Sequence, residues 1–134
     1  MKQKIYRFLS SITEEQRFKF KFCGYKTAGD KPAVVTQDNV ILINKTLFNK
    51  YTQLEQHCIL LHEVGHILAN TYSEYIAHVT AIKLAQLNKL HLESKLLEKT
   101  IVSWSKIKDK KYLQYKAAGK TYLCLNMKKN YIKC

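Results

Sequence analysis

The segment His62-Glu63-Val64-Gly65-His66 contains two histidines four residues apart, with a glutamate beside the first. On an α-helix, residues four apart lie one turn above each other on the same face, so both imidazoles could bind one zinc ion. Glu63 projects further round the helix, where it is badly placed as a ligand but well placed as a general base for an attacking water. The alternative is an ordinary helix that carries two solvated or buried histidines.

A helix is predicted around this segment. Thr52 and Glu55 form a capping box, and the apolar period that follows ends near Ala69. An apolar stripe opposite the histidines predicts the buried side, namely Leu60, Leu61, Val64, Ile67 and Leu68. Gly65 lies on the histidine side. Because glycine inside a helix costs about 1 kcal/mol relative to alanine, it indicates the close approach of another element.

A second helix, from Ser73 to about Leu90, is the expected partner. One of its faces combines small residues with a carboxylate and an imidazole: Glu74, Ala77, His78, Ala81 and Ala85. A catalytic zinc normally takes three protein ligands, and Glu74 is our candidate for the third. Two alternatives stay open. Glu74 could close a capping box with Thr71, and His78 could be the ligand with Glu74 as its supporting partner.

The rest of the chain predicts an α+β fold, with a short N-terminal antiparallel sheet packed on a mostly helical C-terminal part. Alternating or β-branched residues indicate strands at Arg17 to Phe22, Ala33 to Thr36 and Val40 to Ile43, with a loop from Cys23 to Pro32. Ser11 and Glu14 could open a short helix before them. Two more helices are expected after the metal helices, at Glu93 to Ser105 and at Asp109 to Ala118, the last ended by Gly119.

Length and composition favour one domain over residues 1–134, since 46% of the residues are hydrophobic and only 1 is proline. No stretch resembles a signal peptide or a membrane span, so we expect a cytoplasmic protein without membrane contact, in which the cysteines are thiols. A net charge of +13 would attract DNA or an acidic partner, although scattered lysines also arise from biased composition.

Two further residues have two interpretations each. Cys58 is expected to be a buried small apolar residue, with proximity to the metal as the alternative. Trp104, which precedes the Lys106 to Lys111 cluster, is expected in the core beside a solvated charged face, with a partner-binding surface as the alternative. His57 and His91 are expected to be ordinary packing or surface residues.

With the motif and the following helix in place, the chain from Val40 to Ala85 resembles the ImmA/IrrE family of metallo-endopeptidases, a zincin-like group. In that family a strand precedes the His-Glu-x-x-His helix, and a later helix offers Glu, then Ala three residues on and Ala again four after that. Glu74, Ala77 and Ala81 stand at those positions here. His78 replaces a frequent Asn, the frequent Met-Pro sequence is missing, and the last 45 residues lie outside the resemblance. Tyr72 in place of a third histidine excludes the metzincin pattern.

The resemblance implies one zinc ion per chain on His62, His66 and Glu74, with Glu63 as general base. It implies hydrolysis of a protein substrate, in this family often a transcriptional repressor or a regulator of a mobile element, which would bring the chain near DNA. The candidate donors to the oxyanion are His78, Tyr72 and Tyr75, with simple packing as the alternative for each tyrosine.

An edge formed by Val40 to Ile43 could pair with an extended substrate. One alternative function is a non-enzymatic basic module that binds DNA or protein around a structural or vestigial zinc site. Another is a host-directed effector with the same chemistry.

Overall fold

The computed structural model describes residues 1–12, 18–24 and 29–126. The elements in chain order are α1 (Lys2–Ile12), β1 (Lys19–Cys23), β2 (Ala33–Val35), β3 (Val40–Asn44), α2 (Lys45–Phe48), α3 (Gln53–Leu68), α4 (Glu74–Leu87), α5 (His91–Trp104), a 3-10 turn (Lys110–Tyr112) and α6 (Leu113–Asn126). The predicted positions of Glu14, Arg17 and loop residues 25–28 lie outside the described residues. The α+β class is confirmed, with the sheet on the N-terminal side and helices elsewhere.

The sheet is mixed, so the prediction of an antiparallel sheet was wrong for one pair. The strand order is β1-β3-β2: β1 runs parallel to β3, with Phe20 opposite Ile41, and β2 runs antiparallel to β3, with Val34 opposite Leu42. Because β2 forms the tight pair with β3, β1 can only reach the other side of β3, and there it lies parallel. The central strand β3 therefore has no free edge, and the prediction that Val40 to Ile43 pairs with substrate was wrong.

An amphipathic helix at the N-terminus was missed. In α1 the residues Ile5, Phe8, Leu9 and Ile12 recur at helical spacing and are buried in the main core. Phe8 stacks on the ring of His57, at 3.9 Å between centroids, which fixes α1 against α3. Ser11 lies in the last turn of α1, where its hydroxyl donates to the Phe8 carbonyl, so it does not open a helix.

The three helices predicted in the middle of the chain are present within a few residues of their expected bounds. Thr52 caps α3 through the predicted box, since its hydroxyl accepts from the Glu55 amide and the Glu55 carboxylate accepts from the Thr52 amide. The predicted apolar stripe of α3 is buried except for Leu68, which is exposed in the last residue of the helix.

The end of α6 was predicted wrongly, because the helix continues through Gly119 to Asn126. A Cβ on Gly119 would overlap the backbone of Ser105 and lie 2.7 Å from the Ile101 carbonyl oxygen. The glycine therefore permits close packing of α6 on α5 rather than ending a helix. Within the described residues, no helix combines the length and the apolar composition needed to cross a bilayer.

Candidate metal centre

Helix α3 presents His62 and His66 on one face, one turn apart, with their ring centroids 4.9 Å from each other. The ligand atoms of His62, Glu63 and His66 all lie within 4.8 Å of one another. Both histidines are partly exposed, whereas Glu63 is buried. The helix therefore presents two imidazoles to a cleft and holds a carboxylate behind them.

Close contact between α3 and α4 brings the next candidate ligand to this face. A Cβ on Gly65 would overlap the carbonyl oxygen of Ala77 and lie 2.9 Å from its carbonyl carbon. Ala77, Ala81 and Ala85 are fully buried along the same face of α4. The prediction that Gly65 marks a closely packed partner helix is confirmed, and the small-residue face of α4 is that partner.

Glu74 is the first residue of α4, and its carboxylate faces both imidazoles. Its Oε1 lies 3.1 Å from His62 Nε2 and 2.6 Å from His66 Nε2. Burial alone would raise the pKa of Glu74, but hydrogen bonds from the two rings outweigh burial and hold the pKa well below its ordinary value. The three atoms expected to bind the metal therefore converge from two helices.

The interpretation of Glu74 as part of a capping box with Thr71 was wrong. Ser73 is the N-cap of α4, and its hydroxyl accepts from the Ile76 amide at 3.2 Å. The Thr71 hydroxyl accepts from the Ser73 amide, outside the helix. Glu74 is therefore free of any capping role and turns to the histidines.

His78 lies behind His62, on the side away from Glu74. Its Nε2 lies 2.7 Å from the Leu97 carbonyl oxygen and its Nδ1 lies 2.8 Å from His62 Nδ1. A carbonyl only accepts, so Nε2 carries the proton of His78, and burial lowers the pKa of this ring to about 3, which keeps it neutral. Its Nδ1 then accepts from His62 Nδ1–H. With both nitrogens engaged, His78 supports His62 and offers no nitrogen to a metal.

The tautomer of His66 is fixed in a similar way. Its Nδ1 lies 2.8 Å from the Thr71 carbonyl oxygen and donates to it, so its Nε2 is the atom that faces Glu74. Burial lowers the pKa of His66, but the hydrogen bonds to Glu74 and to the Thr71 carbonyl raise the pKa by more than burial lowers it, so the net shift is upward. The Glu74 carboxylate therefore favours the protonated form of His66.

Glu63 is 7% exposed, and its Oε2 has no hydrogen-bond partner within the part of the chain that the structure describes. Burial raises the pKa of this carboxyl, and the nearby imidazoles oppose part of the rise. A buried carboxylate oxygen without a partner is costly, so an incoming donor such as water would be bound here.

The two tyrosines proposed as oxyanion donors differ in their exposure and surroundings. Tyr72 is 86% exposed and lines the rim of a polar cavity of about 440 Å³ that also contains Glu63, His66 and Glu74. Tyr75 packs against the core and lines a different depression, shared with Tyr72 and α6. Tyr75 therefore contributes to packing, whereas Tyr72 is largely exposed to solvent.

Two aromatic residues of the C-terminal third complete the site, and sequence reasoning missed both as site residues. Tyr115, on α6, lines the same cavity as Glu63 and Glu74, and its phenol helps to lower the pKa of the Glu74 carboxyl. Trp104, at the end of α5, contacts the edges of His62 and His78 at centroid distances of 5.8 and 4.6 Å, and it contacts Tyr115 at 4.8 Å. Trp104 packs partly against the core, as expected, but it also lines the site. No local spacing marks either residue, since both are brought in by tertiary packing.

Cys58 is buried, as predicted, one turn before His62. Its thiol donates to the Glu93 carbonyl at 3.5 Å, and burial raises its pKa to about 12. His57 is a packing residue between Phe8 and Glu93, and His91 is exposed at the start of α5.

Comparison of the chain with protein-family models, with curated proteins and with solved structures finds no match.

Proposed function

We propose that this chain is a zinc-dependent metallo-endopeptidase in which His62, His66 and Glu74 hold one zinc ion and Glu63 is the general base. The observation that carries the proposal is the convergence of His62 Nε2, His66 Nε2 and Glu74 Oε1, with contacts of 3.1 and 2.6 Å, beside a buried Glu63. Two imidazoles and one carboxylate are a ligand set of catalytic zinc sites, which keep one position open for water or substrate. We also propose, from the resemblance described above, that the chain is related to the ImmA/IrrE family.

The donor set fits zinc on chemical grounds. His62 and His66 each use Nδ1 for a hydrogen bond, to His78 and to the Thr71 carbonyl respectively, so the Nε2 of each ring faces Glu74. Supporting hydrogen bonds orient the ligand histidines of zinc sites in the same way. Zinc, when bound, lowers the pKa of water and polarises a carbonyl oxygen.

The protein groups have distinct roles in the proposed hydrolysis. Glu63 takes a proton from the attacking water through its free Oε2, and its raised pKa lets the same carboxyl pass the proton to the leaving amine. Burial, followed by the nearby Glu74 carboxylate, raises the pKa of Tyr115, so its phenol stays protonated as a hydrogen-bond donor. We assign Tyr115, rather than Tyr72 or Tyr75, as the tyrosine placed to donate to the oxyanion that develops on the substrate carbonyl.

The free edge of β2 is the surface that fits an extended peptide. Among residues 1–12, 18–24 and 29–126, strand β2 pairs only with β3, and Val34 and Val35 line the polar cavity that contains Glu63 and His66. A peptide that pairs with this edge would pass the three ligand side chains. A protein substrate, such as a repressor or a regulator of a mobile element, enters through one extended segment.

Glu63→Gln tests the proposal, because it removes the base and keeps the shape of the side chain. We expect purified protein to hold one zinc per chain by elemental analysis and to cleave members of a proteome-derived peptide library. The variant should keep zinc and lose activity by about 10²- to 10⁴-fold. Glu98→Gln, the same exchange on α5, is the control and should keep both.

Zinc-loaded protein that cleaves no peptide, or a Glu63→Gln variant as active as the parent, would refute the enzyme proposal. A cellular function that survives Glu63→Gln would favour the non-enzymatic alternative, a basic module with a net charge of +13 that binds DNA or protein.

A further inference from the structure

Two cavities meet at the candidate centre, and their linings differ in chemical character. Both contain Lys31, Glu63 and Tyr115. The first, already described, is lined mostly by polar side chains: Thr36, Gln37, Asn39, Asn70, Thr71 and Gln114. The second has a volume of about 400 Å³ and lies on the other side of His62, between α3 and α5. Its walls are largely apolar: Cys58, Ile59, Leu96, Leu97 and Trp104.

Three of the polar residues in the wall of this second cavity, Glu55, His78 and Thr100, make hydrogen bonds within the protein. The Thr100 hydroxyl donates to the Leu96 carbonyl at 2.7 Å, and both nitrogens of His78 are bonded as described above. The Glu55 carboxylate accepts from the Thr52 amide at 2.9 Å. The cavity therefore offers mostly apolar surface to a ligand, and Lys31, Tyr51 and the Glu63 carboxylate are among its remaining polar lining residues.

The apolar cavity is directly continuous with the candidate centre. Trp104 forms one wall and contacts the ring of His62 at 5.8 Å between centroids. His62 and Glu63 themselves line the cavity. A substrate side chain that enters it would therefore belong to a residue next to the substrate carbonyl that is attacked.

We propose that this cavity binds one bulky apolar side chain, such as Leu, Met or Phe, of the substrate residue next to the scissile bond. The proposal rests on the proposed function, and it names a substrate class: peptides with a large apolar residue on one side of the bond and a hydrogen-bonding segment on the other. Removing a single methylene from a side chain in such a pocket changes selectivity by about 10- to 200-fold. Replacing the apolar residue by Ala should therefore cost at least 10-fold.

Binding can be measured apart from cleavage, because Trp104 is the only tryptophan of the chain. The probes are blocked peptides Ac-Gly-Gly-Xaa-Gly-Gly-amide with Leu, Phe, Ala or Asp at Xaa. They are titrated into the zinc-loaded Glu63→Gln protein while Trp104 emission is recorded. We expect Leu and Phe to shift the emission saturably and to bind at least 10-fold more tightly than Ala or Asp.

Thr100→Phe should fill the cavity from α5 while leaving the His62 and His78 side chains unchanged in sequence. Thr80→Phe is the matched control, since Thr80 makes the same 2.7 Å bond to the carbonyl four residues back but lines none of the cavities described here. Thr100→Phe should weaken Leu and Phe binding at least 10-fold and lower kcat/KM for substrates with those residues by a similar factor. Thr80→Phe should change neither.

The two proposals fail in different ways. Equal binding of the Leu and Ala probes, or Leu binding that Thr100→Phe leaves unchanged, would overturn the apolar subsite even if the chain cleaves peptides. Selective Leu binding that responds to Thr100→Phe, together with no cleavage of any peptide by zinc-loaded parent protein, would leave the subsite standing and overturn the peptidase.

Discussion

Gly65→Ala adds a single methyl group at the point where the two ligand-bearing helices touch. The new Cβ would overlap the Ala77 carbonyl oxygen and lie 2.9 Å from its carbonyl carbon, whereas ordinary carbon contacts are about 3.5–4.0 Å. The atoms in the way belong to the backbone of α4, so no side-chain rotation relieves the overlap. The helices must separate by about 1 Å.

Two opposing effects decide the change in stability. Alanine is favoured over glycine inside a helix by about 1 kcal/mol, which stabilises the variant. Overpacking a tight contact costs about 1–3 kcal/mol, and this site is crowded by backbone, so the upper part of that range applies. We therefore expect a net loss of about 1–2 kcal/mol in the free energy of unfolding.

The larger effect should fall on the metal. Ala77 lies three residues after Glu74 on the same helix, so a displacement of α4 carries the Glu74 carboxylate away from His62 and His66. Moving a catalytic group by about 1 Å lowers activity on the order of 10²-fold. The displaced Glu74 carboxylate should also lower zinc affinity by at least about 10-fold.

Urea unfolding of metal-free protein and zinc competition with a chelating dye measure these two quantities. Gly119→Ala is the control, because a Cβ there overlaps the backbone of Ser105 in another helix pair, α5 with α6. It should lower stability similarly but affect zinc affinity far less. If Gly65→Ala proved more stable than the parent and bound zinc equally well, the close packing of α3 on α4 would not be what positions Glu74.

Three further predictions concern the surroundings of the ligands. Tyr115→Phe should lower kcat by about 10²-fold with zinc content unchanged, whereas Tyr112→Phe, which removes only a bond to Asp30, should have little effect; equal effects would exclude Tyr115 as an oxyanion donor. The pKa of His78 falls from 6.5 to about 3 on folding, so the unfolded chain binds the extra proton at intermediate pH and stability is lost as pH falls below 6.5. Between pH 7 and 5, this residue should lower the free energy of unfolding of metal-free protein by about 2 kcal/mol. Urea unfolding should show this loss in the parent and in the control His91→Asn, but not in His78→Asn. Parallel curves of unfolding free energy against pH for all three proteins would refute the prediction. Burial raises the pKa of Cys58 from 9.0 to about 12, so its alkylation by iodoacetamide at pH 8, followed by mass spectrometry, should be about 10³-fold slower than that of an ordinary thiol; a rate that levels off near pH 9 would contradict this.

The sequence predicted the three middle helices, α3 to α5, within a few residues, because hydrophobic period and caps are local signals, but it missed α1 and the end of α6. The capping box of Thr52 and Glu55 marks the start of α3, and Gly65 correctly indicated a close neighbour. Strand positions followed from alternation, but the parallel pairing of β1 with β3 did not. Pairing depends on which strand takes the adjacent place, and here β2 takes it.

Glycine shows how one residue type supports two conclusions. Gly119 was expected to end a helix, since glycine is common just after a helix C-terminus. In the structure it lies inside α6 and allows the approach of Ser105, the same role that was expected correctly for Gly65. Local sequence does not separate the two roles, because the difference is whether another backbone passes within contact distance.

The candidate site was predictable where its residues are close in sequence and not where they are distant. His62, Glu63 and His66 follow from spacing along one helix, and Glu74 from the face of the next. Tyr115 and the Trp104 contacts with the histidines come from α5 and α6, whose sequences carry no metal-binding pattern. Their approach depends on the packing of α6 on α5, which brings Tyr115 to within 4.8 Å of Trp104 between centroids.

The segment that carries the ligands is therefore not the whole of the site. The Leu97 carbonyl, on α5, fixes the proton of His78 on Nε2, and the unprotonated Nδ1 of His78 in turn accepts from His62 and orients its ring. The tautomer of His62, a candidate ligand, depends on Leu97, which lies 35 positions later in the chain. Helices α3 and α4 alone therefore do not fix the orientation of His62. The closely packed helices bring the three candidate ligand atoms together, and α5, through Leu97 and His78, determines which nitrogen of His62 faces Glu74. This division explains why α5 belongs to the candidate site although it supplies no ligand.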